Sequence, residues 1–299
     1  MSRAGLFLGL TIFLSVFLSP SLCAETIRMG VLPVIDTLPL QVAKKEGFFK
    51  EEELEVELIR FSSAMERNIA MQSGRLDGFF GDIPATLLLV KSGIPVKFLT
   101  VSYFTTPGQR MFALVLSSQN RNRNSGRIDV AISKGSIIEY LLDRLKPRPP
   151  MDGFQIVPKE IKQMPVRMQM LAAGKIDAAL LPEPLATLAE SKGAKSIVTD
   201  EHLNIPLTVL NLHRSKLPYG QSFLKAYAKA VASLNANAGK YLELMVETCR
   251  VPEFLAAKFI AYTFPKPRLP SEEEVESVQK WMQRQGLLDR RISYQKLIR

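Results

Sequence analysis

Cysteine, histidine and tryptophan are scarce, at two, two and one in 299 residues. His202 and His213 have no Cys or His companions at ligand spacing, so a zinc cluster is excluded and no metal or other cofactor is expected. Met164, Met168 and Met170 read as the core side of a helix, not as a metal box. A G-x-S-x-G elbow, a phosphate loop and a Cys/His nucleophile arrangement are all missing, which argues against enzymes of those classes. No low-complexity tract and no array of long repeats occurs. Beyond residue 18 no apolar run approaches the ~20 residues that cross a bilayer.

The N-terminus carries the first positive signal. Arg3 precedes an uncharged, Leu/Phe-rich run from Gly5 to Leu18, followed by Pro20 and the small-residue stretch Ser21-Leu22-Cys23-Ala24. That layout predicts a secretory signal over residues 1–24, cut after Cys23 or Ala24, with the rest of the chain soluble outside the cytoplasm. Lipidation of Cys23 is the rival reading, and Leu22 disfavours it because the preceding residue is normally small. Once Cys23 is removed, Cys249 has no disulfide partner and reads as a packed helix residue. The formal charge is +10, yet Lys and Arg are dispersed among acids, so no nucleic-acid partner is expected. Arg121 to Arg127 reads as a solvated, turn-rich loop.

From Ile27 onward strand-like and helix-like text alternates. Strands are predicted at Ile27–Leu32, Leu54–Phe61, Leu76–Phe80 and Pro95–Tyr103, with helices over Leu38–Phe49, Ser63–Ser73 and Pro84–Ser92 between them. The rhythm restarts with strands at Met111–Leu116, Ile128–Ile132, Phe154–Val157 and Ile176–Leu181, and helices at Ser136–Leu145 and Pro165–Ala173. Leu207–Leu212 reads as a returning strand, and helical text dominates from Gln221. Ser63 with Glu66, and Ser136 with Glu139, have capping-box spacing. The β-α-β alternation predicts an α/β protein of two Rossmann-like lobes joined by two crossing strands. The first lobe comprises residues 25–112 and 207–299, and the second 113–206. Ligands of such sheets sit beyond the carboxyl ends of the strands, here in a cleft between lobes.

Several stretches, in order along nearly the whole mature chain, resemble one family. They are Gly30-Val31-Leu32-Pro33 with Glu46-Gly47-Phe48-Phe49, Ser73-Gly74-Arg75-Leu76-Asp77-Gly78 and its recurrence Ala173-Gly174-Lys175-Ile176-Asp177-Ala178, Pro182-Glu183-Pro184, and the tail from Ser271 through Trp281 to Tyr294. The set is similar to the type II periplasmic solute-binding proteins of ABC importers for sulfonates, taurine, nitrate and thiamine-type pyrimidines. That resemblance implies a periplasmic, monomeric receptor, not an enzyme, that passes a small molecule to an inner-membrane ABC permease. Two departures stand out: the Arg/Asn loop before Ile128, and Leu180-Leu181 where the family often has a Trp. Enzymes on the same fold are the first alternative; their cytoplasmic location and the absence of the pyrimidine synthase's cysteine-rich motif count against them. A periplasmic sensor for a membrane receptor is the second.

Strand-to-helix turns alone reach such a cleft, which nominates Asp36, Thr37, Ser62, Ser63, Asp82, Lys134, Ser136 and Glu183 as ligand-binding residues. Helix N-termini with Lys134 favour an anion, while Asp36, Asp82 and Glu183 favour an amine or a hydroxyl-rich solute. The balance points to a polar or zwitterionic ligand. For Ser63 and Ser136 helix capping outweighs ligand contact, although both roles can hold together through the backbone N–H groups. Tyr103 is the preferred aromatic contact, because its hydroxyl supplies a polar handle.

Overall fold

The computed structural model describes residues 25–298. The expected signal segment, its cleavage site and Cys23 lie outside them. In chain order the strands are β1 (Glu25–Val31), β2 (Leu54–Arg60), β3 (Gly78–Gly81), β4 (Val96–Phe104), β5 (Phe112–Leu116), β6 (Gly126–Ile132), β7 (Phe154–Glu160), β8 (Ala178–Pro182), β9 (Lys195–Thr199) and β10 (Pro206–His213). The helices are α1 (Leu38–Lys45), α2 (Phe48–Glu51), α3 (Ala64–Gln72), α4 (Ile83–Lys91), α5 (Ile137–Leu145), α6 (Met164–Ala172), α7 (Leu185–Ser191), α8 (Gly220–Ala236), α9 (Leu242–Cys249), α10 (Glu253–Ala256), α11 (Glu272–Arg284) and α12 (Gln295–Ile298).

The strands form two five-stranded mixed sheets, β2-β1-β3-β10-β4 and β7-β6-β8-β5-β9. Both follow one plan. Three parallel strands lie side by side, and an antiparallel strand separates the third from the last. In each sheet that antiparallel strand is supplied by chain entering from the other sheet: β5 follows β4, and β10 follows β9.

Local chemistry explains most boundaries. The expected helix over Leu38–Phe49 is two helices, because Gly47 takes a left-handed φ of +78° that only glycine adopts without strain. Ser63 accepts from the Glu66 N–H and Ser136 from the Ile138 N–H, so both act as N-caps. The reciprocal arm falls one residue early in each case, since Glu66 receives the Ser62 N–H and Glu139 the Gly135 N–H. The full reciprocal box forms at α11, between Ser271 and Glu274. Strand β9 was not anticipated: Lys195–Thr199 is half-exposed and lacks a clean alternation. After a 3-10 turn at Ala257–Phe259 the chain runs without helix through Pro265, Pro267 and Pro270, where the missing N–H groups forbid it.

The apolar faces are buried as periodicity demands. Helix α8 turns Phe223, Ala226, Tyr227, Ala230, Val231 and Leu234 inward at helical spacing, against the first sheet's side. Helix α11 touches both halves, because it packs on α4 while its Trp281 indole donates to Asp143 of α5 at 2.9 Å. Cys249 is buried at the end of α9, as a packed residue should be, and its thiol is pushed up to about 12 by burial.

Two buried acids tie down the chain where it passes between sheets. Asp200, just before β10, accepts the backbone N–H groups of Met111 and Phe112 at 2.9 and 2.8 Å through one oxygen, fastening the two passages together. Its second oxygen has no partner, and burial pushes the carboxyl up to about 7. Glu183, at the end of β8, is fully buried and paired with Arg110 at 2.7 Å, with Thr187 donating through both N–H and hydroxyl. Burial pushes Glu183 up, and Arg110 pulls it back. Arg110 also grips Glu190.

Two predictions follow from these passages. Folded Asp200 holds its proton to a higher pH than an unfolded aspartate, so its contribution falls as pH rises from about 4 to 7. Asp200→Asn, which keeps one acceptor but cannot ionise, is therefore expected to gain stability relative to wild type over that window. The difference should level off above pH 8, at no more than ~4 kcal/mol from the ~1.4 kcal/mol per pH unit of linkage. Denaturation melts at pH 4.5 and 8 check this, and equal differences at both would refute it. Arg110→Met should cost roughly 3–5 kcal/mol, because it strands the buried Glu183 charge.

Candidate functional site

A small, partly open cavity of ≈ 60 Å³ lies between the carboxyl ends of the two sheets. Its walls come from both halves: Leu32, Val34 and Asp36 after β1, Phe80 to Asp82 at the end of β3, Ser133, Ser136, Ile137 and Ile138 after β6, and Met164 and Arg167 on α6. Most of this lining is apolar, and the polar groups within it are few and placed.

Of the residues nominated from sequence, Asp36, Asp82 and Ser136 line this cavity. Asp36 is 2% exposed, accepts the Thr208 hydroxyl at 2.8 Å, and is pushed up to about 7 by burial. Asp82 caps α4 by accepting the Ala85 N–H at 2.7 Å through Oδ1. Its Oδ2 accepts the Ile137 N–H at 3.1 Å, at the start of α5 in the other half. One carboxylate thus caps two helices across the cleft. Burial pushes this acid upward, while Arg67 and the two N–H donors oppose the shift.

The others are placed differently. Glu183 is turned away from the cavity into its Arg110 pair, so it does not repel an anion there. The Thr37 hydroxyl donates to the carbonyls of Val34 and Leu32, shaping the turn before α1. Tyr103 is fully buried and engaged with Gln109, leaving no handle for a ligand. Ser63 serves as a cap and Ser62 is exposed. Lys134 is exposed and lines an adjoining groove with Met65, Asn68 and Gly135. Met164, expected as plain helix core, faces the cavity.

Two residues that carry the site's charge, Arg67 and Arg167, were missed. Arg67 is 1% and Arg167 0% exposed, and both line the cavity. They occupy equivalent places in the two halves. Arg67, Gly74, Asp77 and Phe80 recur as Arg167, Gly174, Asp177 and Leu180, each offset by one hundred residues. Arg67 Nη1 donates to the Phe80 carbonyl at 2.6 Å, and Arg167 Nη1 to the Leu180 carbonyl at 3.0 Å. Asp77 receives the Arg28 N–H and Asp177 the Asp129 N–H, tying the equivalent strands. Gly74 and Gly174, at φ +71° and +65°, end the equivalent helices. The signal lay in that recurrence. In each helix the arginine sits on the stripe that carries the buried residues, Ala70 and Met71 in one and Met168 and Leu171 in the other.

Among the described residues neither guanidinium forms a salt bridge. Arg67 donates otherwise to Asn68, and Arg167 to the Ile161 carbonyl and the Ser133 hydroxyl. Burial pushes both down to about 10, with Asp82 opposing for Arg67, so both are cationic at neutral pH. Gly81 keeps the wall thin beside Arg67, where a Cβ would sit 3.2 Å from Nη2 and 2.6 Å from the Phe79 ring.

Comparison with known proteins agrees with this architecture. The bicarbonate-binding protein CmpA of Synechococcus elongatus is 27% identical over 124 residues, 39% of this chain. The match spans only 27% of that relative's length. The ligand-binding component of an ABC-type import system from Staphylococcus aureus superposes with a TM-score of 0.75 at 18% identity, covering 92% of this chain and 96% of that one. The alkanesulfonate-binding protein SsuA from Xanthomonas axonopodis pv. citri gives 0.74 at 16% identity, covering 92% and 98%. These structures share the expected α/β periplasmic-binding fold. The NMT1-like family model matches residues 23–243, and the chain belongs to the NMT1-like family.

Proposed function

We propose that this protein is an exported solute receptor, which encloses a small polar molecule between its two halves and presents it to an ABC permease in the inner membrane. The observation that carries this reading is the pocket between equivalent sheet ends, bridged by Asp82 across the cleft. A ligand held by both halves favours their closed arrangement, and hinge closure on a ligand is how a receptor signals occupancy. The relatives support it: their names record binding of bicarbonate and alkanesulfonate, and a component of ABC-type import. Periplasmic location fits the N-terminal signal layout, and no helix of the described residues is long and apolar enough to cross a membrane.

A binding role also suits the chemistry of the lining. It contains no His or Cys, and the Ser136 hydroxyl is committed to the Ser133 carbonyl and the Ile138 N–H.

Two measurements test this. Deleting the gene should abolish uptake of whichever solute stabilises the purified protein; unchanged uptake would refute the receptor reading. Asp82→Ala should lose ~1 kcal/mol of stability as a lost α4 cap. It should also weaken ligand binding several-fold, because the bridge across the cleft stabilises the closed form alone. Calorimetry on the variant checks this second effect, and unaltered affinity would show that Asp82 acts only as a cap.

A further inference from the structure

We infer that the ligand is a short-chain monocarboxylate, its two carboxylate oxygens held between the guanidinium groups of Arg67 and Arg167 and its short alkyl tail against the apolar wall. This rests on the receptor reading above and narrows it to a chemical class.

The charges come first. Two guanidinium groups, one from each half, are buried here without a salt-bridge partner, and Asp82 is the charge that offsets the burial of Arg67. Asp82 is the acid beside them, and its two backbone N–H donors and the Arg67 charge favour its ionised form against burial. Asp36 is buried and accepts the Thr208 hydroxyl, and burial favours its uncharged form. Lys162 at the rim pairs with Glu160 at 3.8 Å. The two arginines and Asp82 leave one positive charge, which a single monoanion neutralises. A dianion would overshoot, and an amine would add to the excess.

The donors come next. Each guanidinium has five N–H groups. Arg67 commits Nε, one hydrogen of Nη1 and one of Nη2. Arg167 commits Nε, one hydrogen of Nη1 and both of Nη2. Three N–H groups are left over, two on Arg67 and one on Arg167. A carboxylate with about four lone-pair sites on two oxygens accepts all three and presents one oxygen to each half. Ligand and closure are then coupled, because the anion holds the two halves as Asp82 does.

Size and polarity define the rest. The cavity of ≈ 60 Å³ has room for ~4–6 water-sized groups, at ~10–15 Å³ each. Acetate to butyrate fit that space. Phe80, Phe112, Ile137, Met164 and Pro182 line it, and a tail without hydrogen-bonding groups suits them.

The experiment uses the exported full-length protein, dialysed free of small anions. Calorimetry and thermal melts are run with acetate, propionate and butyrate, with propionamide and propylamine as neutral and cationic isosteres, and with bicarbonate, nitrate and ethanesulfonate as other monoanions. Propionate or butyrate should bind at least tenfold more tightly than propionamide, propylamine and each of the other anions. Arg67→Met and Arg167→Met should each lose that binding at least tenfold. Each variant leaves the buried Phe80 or Leu180 carbonyl without its donor and should melt a few degrees lower, while a far-UV spectrum and a cooperative melt equal in shape to wild type exclude misfolding as the cause of lost binding. Tight binding of bicarbonate, nitrate or ethanesulfonate with no carboxylate bound would overturn the carboxylate class and leave the receptor reading standing. So would binding of an amine that survives both substitutions. Binding of a carboxylate without loss of its uptake in the deletion strain would retain the ligand and overturn the receptor.

Discussion

Each sheet is completed by a strand that arrives from the other. β5 fills the gap between β8 and β9, and β10 fills that between β3 and β4. The first sheet lacks its fifth strand until the chain has crossed twice, while the second is complete after one crossing, so the two halves are joined by two chain passages as well as by surface contact. The crossing fixes where the carboxyl ends of β1, β3, β6 and β8 face one another, and with them the cavity. It also explains the buried acids beside it: the passages carry backbone N–H groups that lie outside the ladders, and Asp200 supplies the acceptor for two of them.

That arrangement concentrates polar groups in a region that is otherwise apolar. Thr208, Ser102 and Asp36 form one chain of hydroxyl and carboxyl contacts, while Arg110, Glu183 and Glu190 form another. In the second chain one arginine is clamped between two glutamates. The cavity arginines have no such ion pair among the described residues, and they keep donors to spare.

Much of the fold was legible in the sequence, because β-α-β periodicity and helix caps are local. Ser63, Asp82 and Ser136 were found as turn residues for that reason. Strand β9 was not, since a half-exposed final strand has too little alternation to mark it. The site was harder. Proximity to a turn nominated Glu183 and Thr37, yet whether such a side chain points into a cleft or back into the protein depends on partners distant in sequence, such as Arg110. Arg67 and Arg167 lie within helices, where a charged residue reads as solvated. Only their placement on the buried stripe, repeated in both halves, distinguishes them, and that needed the helical phase and the recurrence to be read together.

Gly81 sets a limit that no neighbouring side chain sets. A Cβ there would run into the Phe79 ring and crowd the Arg67 guanidinium. The position of that buried charge thus depends on a missing methyl group, a constraint set by backbone and beyond the reach of rotamer adjustment.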